Sequence, residues 1–180
     1  MRKTKKLVFM SLLTAVSLVI WVVEAQIPAL VSVPGVKLGL ANIITLVAMA
    51  TLGRREAGDI LCVRVILGSL FASSPSAFIF SFVGGTAAWL VMALTMGLFP
   101  EKKLWIVSVF GALAHNVGQL VAAAVVTKTA GVFWYAPALA ASGVITGAFI
   151  GLIAVLLVPR VRPFTDKLKE PTEEEENEET

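Results

Sequence analysis

The sequence predicts an all-α membrane protein, a six-transmembrane-helix bundle with both termini cytoplasmic, and three features carry that expectation. First, 57% of the 180 residues are hydrophobic, 15% are charged and the mean hydropathy is +0.87. A soluble domain carries about 45–50% apolar and about 25% charged residues, so the balance here is shifted toward lipid. Second, the apolar residues gather into runs long enough to cross a hydrocarbon layer, separated by Pro, Gly, Ser and charged clusters. At about 20 residues per span of ~30 Å, a chain of this length holds at most about six or seven spans and leaves no room for a soluble catalytic domain. Third, Lys and Arg alternate between sparse and dense loops as a multi-pass chain requires.

The runs fall at residues 7–23, 38–52, 57–72, 77–98, 105–127 and 136–158. The first follows Arg2, Lys3, Lys5 and Lys6, and its length favours a retained helix over a cleaved signal core, despite the small-residue pattern Val23-Glu24-Ala25. Residues 24–36 then form a connection long enough to act as a lid, and Pro34, Gly35 and Gly39 interrupt helix regularity where the second run begins. The third run opens after Arg54 and Arg55, and the turn Ser73-Ser74-Pro75-Ser76 starts the fourth. The fifth follows Lys102 and Lys103. The sixth carries Gly143, Gly147 and Gly151 at i, i+4 and i+8, a small-residue ridge for close helix packing. With this alternation one side of the membrane receives twelve of the fifteen cations and the other only Lys37 and Lys128, with Arg64 inside a span. Residues 1–158 thus read as a six-helix membrane domain and 159–180 as a cytoplasmic charged tail. From about residue 170 the tail has seven glutamates and no aliphatic or aromatic side chain, the composition of disorder. The +3 net charge and pI of 9.2 do not indicate nucleic-acid binding, because the cations orient spans.

Polar groups inside a bilayer need a partner or a cavity, so they are the candidate functional residues. Arg64 lies nine residues past Arg55 and nine before Ser73, His115 twelve past Lys103, and Trp89 thirteen past Ser76 and thirteen before Lys102. Equal depth would let a cation, an imidazole and an indole meet at the bundle centre, a set suited to an anionic or aromatic ligand. Gly111, His115, Gly118, Gln119 and Ala122 share one face of the fifth helix, beside Asn116. Lys37 and Asn42 bring donors to the outer third of the bundle. Interhelical hydrogen bonding is an equal account of His115. Asp59 is the sequence rival as a partner for Arg64, although a five-residue spacing turns the two side chains about 140° apart on a helix.

The chain has no GxxxxGK[ST] phosphate loop and no GxSxG elbow. With one histidine, one cysteine and only Asp59 and Asp166 as aspartates, it cannot build a multi-histidine metal centre or an aspartate-rich magnesium site. No cofactor and no catalytic residue is expected, and any ATP-driven task needs a partner.

Three segments together carry a resemblance: Pro34-Gly35-Val36-Lys37-Leu38-Gly39-Leu40-Ala41-Asn42; Gly68-Ser69-Leu70-Phe71 followed by Ser74-Pro75-Ser76-Ala77-Phe78; and Gly111-Ala112-Leu113-Ala114-His115-Asn116-Val117-Gly118-Gln119. They resemble the bacterial Gx transporter family, whose members often carry the label heptaprenyl diphosphate synthase component I. That family is similar to the substrate-binding S components of energy-coupling factor (ECF) vitamin transporters. The resemblance implies an S-component-like bundle in the bacterial cytoplasmic (inner) membrane that captures a small solute, energised by a coupling protein and ATPases. It implies a coupling-protein contact on the first helix at Ser11 and Ala15, with serine where the pattern has alanine. The alternative is an accessory subunit in prenyl diphosphate or quinone biosynthesis that binds an isoprenoid. A third reading is a purely structural membrane subunit.

Overall fold

The computed structural model describes residues 2–26, 39–71 and 75–168. Residues 27–36 of the expected lid, Lys37, Ser73, Ser74 and the acidic tail beyond Leu168 lie outside the described residues. Within them the chain forms six α-helices: α1 (Arg2–Ala25), α2 (Asn42–Thr51), α3 (Arg54–Phe71), α4 (Pro75–Thr95), α5 (Leu104–Thr127) and α6 (Ala136–Lys167). No strand occurs among the described residues.

Four stretches, Lys3–Glu24, Phe78–Leu98, Glu101–Thr127 and Ala130–Lys167, are long and apolar enough to cross a membrane. α2 is also apolar but has only ten residues, about 15 Å at 1.5 Å per residue. Glycines at positive φ flank it: Gly39 at φ 79° and Gly53 at φ 135° turn the chain where a Cβ would strain it. α3 is 18 residues long but carries Arg54, Arg55, Glu56, Asp59 and Arg64, which lower its hydropathy. Threonines are accommodated in the apolar helices by bonding back one turn, as Thr14 does to the Met10 carbonyl (2.9 Å) and Thr51 to Val47 (2.8 Å).

α5 is the central pillar, packed along α4 on one side and α6 on the other. The α6 glycine ridge faces it. A Cβ at Gly147 would lie 2.7 Å from the Cα of Val109, and one at Gly151 would collide with the Cα of Trp105, so the two backbones approach as closely as only glycine allows. A larger apolar core joins α1 through α6 around Leu46, Ile60, Met92, Val107 and Val158. A smaller one holds the other end, with Phe80, Leu120 and Leu139. Leu7, Val8, Leu12, Val19 and Val23 of α1 and Ile145, Phe149, Leu152 and Leu156 of α6 are exposed, an apolar exterior suited to lipid.

At the end where α1 begins, Lys6 pairs with Glu56 of α3 (2.6 Å) and Arg162 of α6 with Glu101 (2.5 Å). Arg162 also donates to the Ala50 carbonyl at the C-terminal end of α2 (2.9 Å), where a helix leaves carbonyls unbonded. These contacts explain why α6 continues to Lys167 through Pro159 and Pro163, nine residues beyond the end of the apolar run at 158. Each proline removes one backbone donor. Arg162, the fully buried Thr165 and the Phe9–Phe164 ring contact (5.0 Å) hold the extension on the bundle.

Candidate functional site

The site is assembled at the junction of α1, α2, α3, α4 and α5, toward the end where α1 finishes and α2 starts. Ser17, Trp21 and Glu24 recur at i, i+4 and i+7 and form the buried face of α1. The expectation that residues 24–36 are connection is corrected here: α1 runs to Ala25, and Glu24 in its last turn points inward at 4% exposure. Its Oε1 accepts the Gly39 backbone N–H at 2.5 Å, tying the end of α1 to the start of α2.

Arg64, in the middle of α3, is also 4% exposed, and Glu24 is close enough to interact with it electrostatically. Asp59 does not fill that role. It lies on the exposed side of α3 in a groove against α1, as the helical angle between the two positions requires. Around the guanidinium the neighbouring backbone is bare: a Cβ at Gly85 of α4 would lie 3.5 Å from an Arg64 Nη and 2.8 Å from Leu61.

The His115 imidazole sits between two glycines. A Cβ at Gly39 would lie 2.9 Å from its Cδ2, and one at Gly84 of α4 would lie 3.0 Å from its Cε1 and 2.9 Å from Gln119 Cγ. Glycine at both positions lets the ring and the Gln119 side chain, one turn further along α5, occupy that space. Gly39 also brings Asn42 in, whose Nδ2 would be 3.0 Å from the same Cβ. Arg64 and His115 are close enough to interact electrostatically.

The polar inventory at this junction is incomplete. Asn42 Oδ1, Thr45 Oγ1, Arg64 Nε and both His115 ring nitrogens are buried with no hydrogen-bond partner among the described residues. The Gly84 carbonyl approaches the imidazole without meeting hydrogen-bond geometry. Such groups are normally satisfied, at a cost of about 1–3 kcal/mol each when they are not. They come from α2, α3 and α5: Asn42 and His115 meet at Gly39, Thr45 lies one turn beyond Asn42 on α2, and Arg64 interacts electrostatically with His115.

The other sequence candidates fall elsewhere. Trp89 does not join Arg64 and His115: its Nε1 donates to the Arg54 carbonyl (3.0 Å) and its ring lies in the notch left by Gly58, near the beginning of α3. Asn116 follows His115 by about 100° of helical turn, faces α6, and donates to the Leu139 carbonyl at 2.6 Å beside Gly143. Ser11 and Ala15 are exposed on α1 and line a groove of about 400 Å³ with Asp59, Ile60, Val63 and Leu67 of α3. Glu24 and Thr45 are additions. Among the described residues no three His, Cys, Asp or Glu side chains gather as metal ligands would.

Fold and site together define a multi-pass α-helical membrane protein with a buried polar centre enclosed by five helices. The family model described as heptaprenyl diphosphate synthase component I matches residues 13–157, and the chain belongs to that family. No curated protein and no solved structure matches it.

Proposed function

We propose that the chain is a solute-binding membrane subunit that captures a small polar metabolite at the junction of Glu24, Asn42, Thr45, Arg64, His115 and Gln119. The observation that carries this reading is the set of buried polar atoms from three helices without partners among the described residues. Asn116, on the neighbouring face of α5, donates its Nδ2 to the Leu139 carbonyl and keeps only its Oδ1 without a partner among the described residues, whereas neither His115 ring nitrogen has one. Buried ionisable groups at membrane depth mark solute pathways more often than structure.

In this reading the six-helix bundle crosses the bilayer, with the ten-residue α2 covering only about half of the hydrocarbon layer and both termini cytoplasmic at the end holding the Lys6–Glu56 and Arg162–Glu101 pairs. The positive-inside tendency supports that orientation. The site then opens toward the outer face. Ser11 and Ala15 supply a small-residue docking strip for an ECF-type coupling protein, and their exposure beside the α1–α3 groove supports that use. The protein itself performs no chemistry.

The second reading is the one the family description favours: a membrane component working beside a prenyl diphosphate synthase. It gives the buried polar atoms no role. Small molecules extracted from gently purified wild-type, His115→Ala and Trp89→Phe proteins separate the two. The solute reading expects a polar metabolite in wild type and Trp89→Phe that is lost in His115→Ala. An isoprenoid present in all three, together with a co-purifying prenyltransferase chain, would overturn it.

A further inference from the structure

Far from the polar centre, where α1 begins and α6 finishes, the two helices frame a groove of about 430 Å³. Val8, Phe9, Leu12 and Phe164 give it an apolar lining, and Lys5 and Lys167 are its charged members. α1 and α6 run in opposite directions here, and the Phe9–Phe164 ring contact fixes their register. Lys5 precedes Phe9 by four residues and Lys167 follows Phe164 by three, so both lysines are rooted one helical turn from the ring pair, on the same side of it. Away from the lysines the groove opens onto the exterior of α1. Lys5, Val8, Leu12, Val16, Val19 and Val23 recur at three- and four-residue spacings and are all exposed, so a cation heads a continuous apolar stripe. From Val8 to Val23 that stripe runs about 22 Å.

An occupant of this groove must bring apolar length for the stripe and negative charge for the lysine pair. The nearby carboxylates do not supply the charge: Glu56 pairs with Lys6, Glu101 pairs with Arg162, and Asp166 is not part of the groove lining. Lys169, Glu170 and the glutamates through Glu179 follow in the chain, outside the described residues. They hold charge for the lysines but no aliphatic or aromatic side chain to cover Leu12 and Phe164. A bilayer lipid brings both parts, a phosphate and acyl chains. We propose that the groove is a binding site for one anionic phospholipid of the leaflet at this end, with its phosphate between Lys5 and Lys167 and one acyl chain over Phe9, Phe164 and Leu12. Thr4, also in the lining, offers a hydroxyl donor to the phosphate.

Basic positions between helices at a membrane surface hold anionic headgroups, and each lysine there favours them by about fivefold. A zwitterionic headgroup gains less, because its own ammonium enters beside two lysines. The site is independent of solute binding at the polar centre, and it covers the face of the α6 extension turned toward α1, opposite the contacts of Arg162 with Glu101 and Ala50.

The test offers the full-length protein, delipidated in mild detergent, an equimolar mixture of phosphatidylglycerol and phosphatidylcholine with identical acyl chains, and counts retained lipid by native mass spectrometry. Wild type should hold one phosphatidylglycerol with a preference of at least about fivefold. Lys5→Gln/Lys167→Gln, at two exposed positions, should fold as wild type and take the two lipids alike. Lys102→Gln/Lys103→Gln removes two exposed lysines at the same end of the bundle and should keep the preference. Leu12→Trp fills the groove without touching its charges and should lower retention of both lipids. A wild-type preference below about fivefold, as would follow if the glutamate tail occupied the lysines, overturns the proposal. So does an equal loss of preference in the two double-lysine variants, which would assign the effect to overall charge, or wild-type retention by Leu12→Trp.

Discussion

Glu24 and Arg64 make a prediction that can be worked through. In Glu24→Ala the guanidinium of Arg64, 4% exposed, loses its electrostatic partner, and breaking a buried pair from one side costs about 3–5 kcal/mol. The Gly39 N–H loses its acceptor as well, so the upper part of that range applies. Arg64→Ala strands the carboxylate but leaves it the Gly39 N–H, and the lower part applies, about 3 kcal/mol. The double variant removes both charges and retains only the cost of the unbonded amide and the lost side-chain volume, again about 3 kcal/mol. For a chain of this size 1 kcal/mol moves Tm by about 2–4 °C. Glu24→Ala should therefore unfold about 15 °C below wild type and Arg64→Ala about 10 °C below, and the double variant about 10 °C below rather than the additive value of about 25. The four tryptophans provide the fluorescence signal for unfolding in micelles. Losses that add to within about 0.5 kcal/mol would refute the coupling.

Other consequences are as specific. Gly39→Ala forces a side chain into a positive φ and places a Cβ 2.9 Å from the His115 ring; about 1–2 kcal/mol of backbone strain plus displacement of the imidazole should lower Tm and abolish retention of the solute. Gly147→Leu should separate α5 from α6, since even a Cβ would be 2.7 Å from Val109 Cα, and yield aggregated protein on size exclusion, while the exposed Ile145→Leu elutes as wild type. Trp89→Phe loses one hydrogen bond to the Arg54 carbonyl, about 1 kcal/mol, and should lower Tm by a few degrees without changing solute retention. Arg162→Ala frees the Ala50 carbonyl and the Glu101 carboxylate; hydrogen exchange should rise at the C-terminal turn of α2 and stay unchanged around His115.

The helices were legible because apolar runs, prolines and charges mark them locally: each observed helix overlaps one run. The α5 face was legible too, since spacing alone places Gly111, His115, Gly118 and Gln119 together. Depth was less secure. Counting Trp89 from Lys102 assumes one continuous helix, whereas α4 ends at Thr95 and short 3-10 turns and extended residues intervene, so Trp89 lies six residues from its helix end. Glu24 was hidden because an acidic residue at the end of an apolar run reads as the membrane boundary. The signal that would have found it is the register Ser17, Trp21, Glu24 on one face of α1. The continuation of α6 past Pro159 depends on Arg162 meeting Glu101 and Ala50, partners 61 and 112 residues away in the chain, which no local pattern contains.

The most direct test of the central claim is a high-resolution cryo-EM or crystallographic map of the protein purified in mild detergent with its cellular solute. The account predicts non-protein density larger than ordered water in contact with Arg64, His115 and Asn42, with a polar atom within hydrogen-bond distance of Arg64 Nε. A map in which those groups bond only to one another and to single waters would contradict it.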